Sequence, residues 1–370
     1  MSLERASNNK GPAQAAHGGR VYEAARRWGI APEEVIDFSA NINPFGPPPG
    51  VLAAIEKSLA PVTLRTYPDP HAFISALAEK HNVARDEIVV GPGSAALMFA
   101  ALRAMLPATA LVPEPGFDEY FRACAAVKAE VLRPRLTERN GFTPDFDALA
   151  RAIEGRHCDI LILNSPHNPT GRLYAREDLM LLLDVAEANG VAVLLDEAFI
   201  DYAPESSLLH VAATKSRSIV LRSLTKFYAV PALRIGYAVC AAGMAAAIRE
   251  QLDAWPVSTV ALEAGRAALD DEEYERESRR VNAQAREEFA AALREIGLSV
   301  FHSDANFLLV KLSRGSGAEL ARWLESSRIL IRQTNSFSGL GDGYIRLAVR
   351  SSADNLRLVP LIETWLRGSE

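Results

Sequence analysis

The chain has 370 residues, 49% of them hydrophobic and 23% charged, the proportions of an ordinary soluble globular protein and enough for two or three domains. Forty basic against forty-six acidic side chains leave a formal charge of -6, which offers no broad attraction for nucleic acid or an anionic membrane surface. The three cysteines, Cys124, Cys158 and Cys240, lie far apart with no C-x-x-C pair, so neither a disulfide framework nor a thiolate metal site is expected, and a reducing cytoplasm is the simplest compartment.

Residues 1–16 are polar and alanine-rich without periodicity and are set aside from fold reasoning, Met1 to Leu3 reading as a cloning remnant. The start lacks a signal-peptide core, and no apolar run reaches the roughly 18 residues of a membrane span. His17-Gly18-Gly19 precede a helix running to about Trp28. Paired glycines let backbone amides approach an anion closely and a helix N-terminus favours negative charge, so a phosphate site is expected here. Ile36-Asp37-Phe38 leads into Ser39-Ala40-Asn41-Ile42-Asn43-Pro44, and a turn with Pro44, Pro47, Pro48 and Pro49 separates this arm from an amphipathic helix at Val51–Leu59.

From residue 86 to 240, short β-branched runs alternate with helical patterns: Glu87–Val90, Ala110–Val112, Asp159–Leu163, Val191–Leu195, Ser218–Leu221 and Ile235–Cys240. Glu177–Asn189 puts Leu179, Leu182, Leu183 and Ala186 on one stripe and is closed by Gly190, which predicts a crossover helix in an α/β fold. After about residue 245 come a long charged helix, Asp271–Ile296, strands at Leu298–Phe301, Phe307–Lys311, Ile329–Ile331 and Tyr344–Val349, and helices at Gly317–Ser326 and Asp354–Leu366. The expected division is an arm at 1–45, a large domain with a mainly parallel central sheet at 46–245 and a smaller α+β domain at 246–370.

Polar residues gather at the ends of these strands. Asn164-Ser165-Pro166-His167-Asn168-Pro169-Thr170-Gly171 follows one, Asp196-Glu197 ends the next, Ser223-Leu224-Thr225-Lys226 follows a third, and Arg234 comes shortly after. Ligands of open α/β sheets bind at strand carboxyl ends, so these pieces converge on one crevice. Alone, Lys226 reads as a surface lysine, Asp196 as a turn cap and Asn168-Pro169 as a turn signal; together they meet the needs of pyridoxal 5'-phosphate. Lys226 would form a Schiff base with the cofactor aldehyde, Asp196 keep the ring nitrogen protonated, and Asn168 hydrogen-bond the ring hydroxyl. Gly93-Ser94-Ala95 opening the helix Ala95–Leu106, with Ser223 and Arg234, would hold the phosphate, and Phe117 would stack on the ring.

These residues resemble the fold-type I family of pyridoxal phosphate enzymes, in its histidinol-phosphate aminotransferase-like branch. Asn168-Pro169-Thr170-Gly171, Asp196-Glu197-Ala198, Ser223 to Lys226, Arg234-Ile235-Gly236-Tyr237 and Arg346-Leu347 stand in the family's order over nearly the whole chain. The resemblance implies a homodimer whose partner subunit lends Tyr67 to the cofactor phosphate, and an arginine, Arg346, that grips the substrate carboxylate with support from Asn41. Phe199 departs from the family's aminotransferases, which commonly carry a tyrosine there. The segments His17-Gly18-Gly19 and Asp37 to Pro44 look most like the threonine-phosphate decarboxylases of cobalamin biosynthesis. That implies L-threonine O-3-phosphate as substrate and (R)-1-amino-2-propanol O-2-phosphate and carbon dioxide as products, with His17, Gly18, Gly19, Arg332 and Arg350 as further substrate contacts.

In such an enzyme the bond that breaks must stand perpendicular to the ring, so orientation of the substrate chooses the reaction. The alternative is an aminotransferase of the histidinol-phosphate type, to which the cofactor residues are indifferent. A cofactor-binding regulator is disfavoured because only about 35 residues precede Asp37, where a DNA-reading domain needs about 60. No metal is expected: the seven histidines include no H-x-x-x-H pair.

Overall fold

The computed structural model describes residues 18–368, so His17 lies outside the described residues. The arm holds a helix, Val21–Trp28, stopped by Gly29 in the left-handed conformation, and a short strand, β1 (Ile36–Asp37). Seven strands then build the large sheet: β2 (Ile88–Gly91), β3 (Thr109–Leu111), β4 (Glu130–Leu132), β5 (Ile160–Asn164), β6 (Ala192–Asp196), β7 (Ser218–Ser223) and β8 (Gly236–Val239). Their order is β2-β8-β7-β6-β5-β3-β4, parallel from β3 to β7, with β8 antiparallel to both its neighbours. β5, β6 and β7 are buried along their whole length, which is why they read as nearly unbroken apolar runs and not as alternating ones.

Helices cover both faces. Ser94–Met105, Asp118–Ala126 and Ala242–Arg249 bury Leu97, Met98, Tyr120 and Ile248 on one side. Phe146–Glu154 and Arg176–Asn189 bury Leu149, Ile153, Leu179, Leu182 and Leu183 on the other. The helix Thr259–Leu269 joins this second layer through Ala261, Leu262, Ala264 and Leu269, although it lies beyond residue 245.

The long helix Glu272–Glu295 leads into the C-terminal layer of β9 (Ser299–Val300), β10 (Phe307–Lys311), β11 (Ile329–Leu330), β12 (Arg332–Gln333) and β13 (Tyr344–Ala348). Four of these form an antiparallel sheet in the order β12-β13-β10-β9, packed on Phe289, Leu293, Leu320, Leu358 and Ile362. β11 instead pairs in parallel with β1 of the arm, Ile36 opposite Ile329. The single strand expected at Ile329–Ile331 is therefore broken at Ile331. That break carries Arg332 into the other sheet, in register with Arg346.

Candidate active site

Asn164 and Asp196 are register partners at the carboxyl ends of β5 and β6, and Ser223 ends β7 beside them. β8 runs the other way, so its first residue, Gly236, lies opposite both Ser223 and Gly91. The topology thus delivers Gly93, Ser94, Asn168, Asp196, Ser223, Lys226 and Arg234 to one edge of the sheet, where with the arm, β12 and β13 they line a cavity of about 470 Å³. That size suits a cofactor and a small substrate.

One end of the cavity gathers hydrogen-bond donors and positive charge. Ser94 begins a twelve-residue helix whose first amides lack intrahelical acceptors. Gly93 has φ +93, and a Cβ there would stand 3.0 Å from Arg234 Nη2, so only glycine lets the guanidinium lie against this turn. Ser223 Oγ lies 2.8 Å from Thr225 Oγ1, adding two hydroxyls to the same wall.

At the other end sits Asp196. Its Oδ2 accepts from Tyr120 Oη at 2.8 Å and its Oδ1 from the Ala198 amide at 3.0 Å. Burial raises its pKa, and the bonds from Tyr120 and Ala198 and the nearby Lys226 oppose the rise. Phe117, the N-cap of Asp118–Ala126, meets Tyr120 edge to face at 5.6 Å. Burial lowers the Lys226 amine to about 8, helped by Arg346 and Arg234, which leaves a substantial neutral, nucleophilic fraction near neutral pH.

Arg346 faces this lysine across the cavity from β13. It donates through Nη1 to Asn168 Oδ1 at 2.6 Å and through Nη2 to Ser39 O at 3.1 Å, lies over the rings of Phe307 and Phe337, and keeps a buried Nε without a partner among the described residues. Arg332 donates to Ser336 Oγ at 2.9 Å and lies over Phe337 from the other strand. Neither guanidinium has an ion pair among the described residues. Burial pushes Arg346 down to about 9, with Arg332 adding to the shift, and lowers Arg332 too, against the pull of Asp118. Two such neighbours call for anionic groups on whatever enters. Asn41 lines the same wall with its Oδ1 buried and, among the described residues, unpartnered.

Not every expected contact is here. Arg350 is not among the residues that line the cavity: Nε pairs with Asp354 at 3.0 Å and Nη1 donates to Asp37 O, so it braces the arm against the C-terminal helix. Gly18 lines the cavity, and a Cβ on it would collide with Ser39 O at 2.1 Å. The Gly19 amide donates to Ser39 Oγ at 2.8 Å. Tyr67 is 74% exposed and stacks on Trp255 at 3.9 Å, away from its own chain's cavity. Phe199 is in the wall, edge-on to Phe307 at 4.9 Å, and brings no hydroxyl. Tyr120, Thr225 and Phe337 belong to the lining without having been singled out in the sequence; the spacing of Tyr120, three positions after Phe117, was the available signal. Among the described residues no group of three His, Cys, Asp or Glu is arranged to hold a metal ion.

The donor set fits pyridoxal phosphate: a helix-end cup with an arginine for the phosphate, a buried carboxylate for the ring nitrogen, and a buried amine between them. The family profile described as aminotransferase class I and II matches residues 33–362. The chain belongs to the aminotransferase class I and II family. Within that family, the threonine-phosphate decarboxylase of Salmonella typhimurium is 38% identical over 95% of this chain and 97% of its own length. The crystal structure of the histidinol-phosphate aminotransferase from Clostridium acetobutylicum superposes with a TM-score of 0.84 at 28% identity, covering 90% of this chain and 100% of that one. The L-threonine-O-3-phosphate decarboxylase from Porphyromonas gingivalis gives a TM-score of 0.80 at 25% identity, with the same coverage. The family's fold, with its mainly parallel sheet, accounts for the observed strand order.

Proposed function

We propose that this chain is a pyridoxal phosphate-dependent lyase that decarboxylates L-threonine O-3-phosphate to (R)-1-amino-2-propanol O-2-phosphate and carbon dioxide, a reaction of cobalamin biosynthesis. The observation that carries this reading is the pair Arg332 and Arg346, two buried guanidiniums side by side without ion pairs among the described residues, facing Lys226. A substrate with both a carboxylate and a phosphate satisfies both. The likeness to the Salmonella and Porphyromonas decarboxylases supports the same choice.

Bound in this cavity, pyridoxal phosphate supplies a reactive aldehyde and a protonated ring that takes up the electrons of a bond broken at Cα. Gly93, Ser94, Ala95, Ser223 and Arg234 would hold its phosphate, Asp196 its ring nitrogen, Asn168 its ring hydroxyl, Phe117 its ring and Lys226 its aldehyde. Arg346 and Asn41 orient the substrate carboxylate, while Arg332 and the Gly18 turn receive the substrate phosphate. Lys226 Nζ, with its lowered pKa, is a proton carrier beside the reacting carbon.

The chain is proposed to act as a homodimer in the cytoplasm. Leu59, Val62, Leu64, Tyr67 and Trp255 are exposed apolar side chains that a second copy would cover, bringing the partner subunit's Tyr67 to the cofactor phosphate. The three cysteines are buried free thiols, and no helix among the described residues is long and apolar enough to cross a membrane. The arm, the sheet-bearing domain and the C-terminal domain are the proposed domain division, with Thr259–Leu269 counted with the large domain whose core it shares.

Incubating the holoenzyme with threonine phosphate tests the reaction. Carbon dioxide released without a 2-oxo acid supports decarboxylation; amine exchange that depends on such an acceptor supports the aminotransferase alternative.

A further inference from the structure

We infer that Asn43 is a positioning residue for Lys226, capping the turn that carries the lysine and tying that turn to the long 272–295 helix. Lys226 sits in a helix of only four residues, Leu224–Phe227, too short to satisfy its own carbonyls. The Ala229 amide reaches Lys226 O only at 3.4 Å, and shorter bonds come from far along the chain. The Asn43 backbone N–H donates to Lys226 O at 3.0 Å, a bond that alanine would keep, while the side chain holds the next carbonyl of the turn, Asn43 Nδ2 lying 3.0 Å from Phe227 O. The same Nδ2 is 2.9 Å from Ser278 Oγ and 3.0 Å from Tyr274 Oη, both on the long helix, and Tyr274 Oη donates onward to Gly46 O at 2.7 Å.

Three segments meet at this one side chain: the end of the arm, the lysine turn and the start of a helix whose other half, through Phe289 and Leu293, is the core of the C-terminal layer. Asn43 and Ser278 are both buried, so water does not compete for these bonds. Two positions earlier Asn41 faces the cavity, and Ser39 O accepts from Arg346. A substrate that engages Asn41 and Arg346 therefore pulls on the same strip of chain that fixes the lysine turn, and Asn43 transmits that pull to the backbone from which Nζ is aimed.

The inference rests on the reading that Lys226 carries the cofactor, and its test separates the two. In the holoenzyme, Lys226→Ala abolishing the visible absorbance secures the lysine's role irrespective of Asn43. Asn43→Ala should then retain the visible band but move its pH midpoint by about half a unit or more. It should also lower kcat by roughly ten- to a hundredfold with KM within about threefold of wild type, because a displacement on the order of 1 Å at the reacting group costs about that much. Ser278→Ala, which removes an Asn43 partner remote from the cavity, should move the midpoint in the same direction by less. An Asn43→Ala enzyme with a lower melting temperature but the wild-type midpoint and kcat overturns the inference. Should that variant fail to fold, Ser278→Ala and Tyr274→Phe decide: wild-type midpoints in both overturn it, and shifts in both support it.

Discussion

Arg346 Nη1 donates to Asn168 Oδ1 across 2.6 Å, joining β13 of the C-terminal sheet to the loop that follows β5. The group proposed to grip the substrate carboxylate thus holds, by its oxygen, the amide proposed to touch the cofactor ring. Arg346→Lys keeps a positive charge but loses the planar fork that reaches Asn168 and Ser39 together. We expect kcat/KM for threonine phosphate to fall by roughly 10²-fold, about 2.7 kcal/mol, and Arg346→Lys and Asn168→Ala to combine non-additively in a double-mutant cycle.

Tyr120 is the side chain that keeps Asp196 usable. Its hydroxyl bond favours the carboxylate that burial disfavours, so Tyr120→Phe should raise the Asp196 pKa further. With a folded pKa above the unfolded one, the folded state retains a proton that the unfolded state has lost, and stability falls as pH rises through that window. In the cofactor-free protein, the stability deficit of Tyr120→Phe should therefore grow as pH rises from below the usual aspartate value to neutral. Chemical denaturation at a series of pH values measures it; a deficit independent of pH would contradict the assignment.

Lys226 carries the opposite signature. A buried amine lowered to about 8 is deprotonated in the folded state while the unfolded chain still holds its proton up to about 10.5, so stability rises with pH between those values. In the cofactor-free protein Lys226→Met should be more stable than wild type at neutral pH, by on the order of 3 kcal/mol, with the gap closing toward pH 10. Denaturant midpoints of the two proteins across that range test this.

Gly93→Ala places a Cβ 3.0 Å from Arg234 Nη2 on a backbone with φ +93. Both effects push the arginine away from the phosphate cup, and cofactor retention should weaken roughly ten- to a hundredfold, read as loss of visible absorbance on dialysis, with little change in the far-ultraviolet spectrum.

Most of the large sheet was legible because its strands are short apolar runs separated by amphipathic helices, and the polar residues at their ends fall into one crevice by topology. β4 was missed: Glu130–Leu132 is a three-residue edge strand with little apolar pattern. The break at Ile331 also left no mark in composition, since whether a strand continues depends on which neighbour offers a pairing edge, here β1 for one half and β13 for the other. Side-chain partners far along the chain were the hardest to foresee. Nothing local links Tyr120 to Asp196 or Asn43 to Ser278, or foretells that Asp354 and the Asp37 carbonyl stand beside Arg350.

The most direct measurement is borohydride reduction of the pyridoxal phosphate-loaded protein, followed by proteolysis and mass spectrometry. The account predicts a single phosphopyridoxyl adduct on the peptide carrying Lys226; an adduct on another lysine, or none, would contradict it.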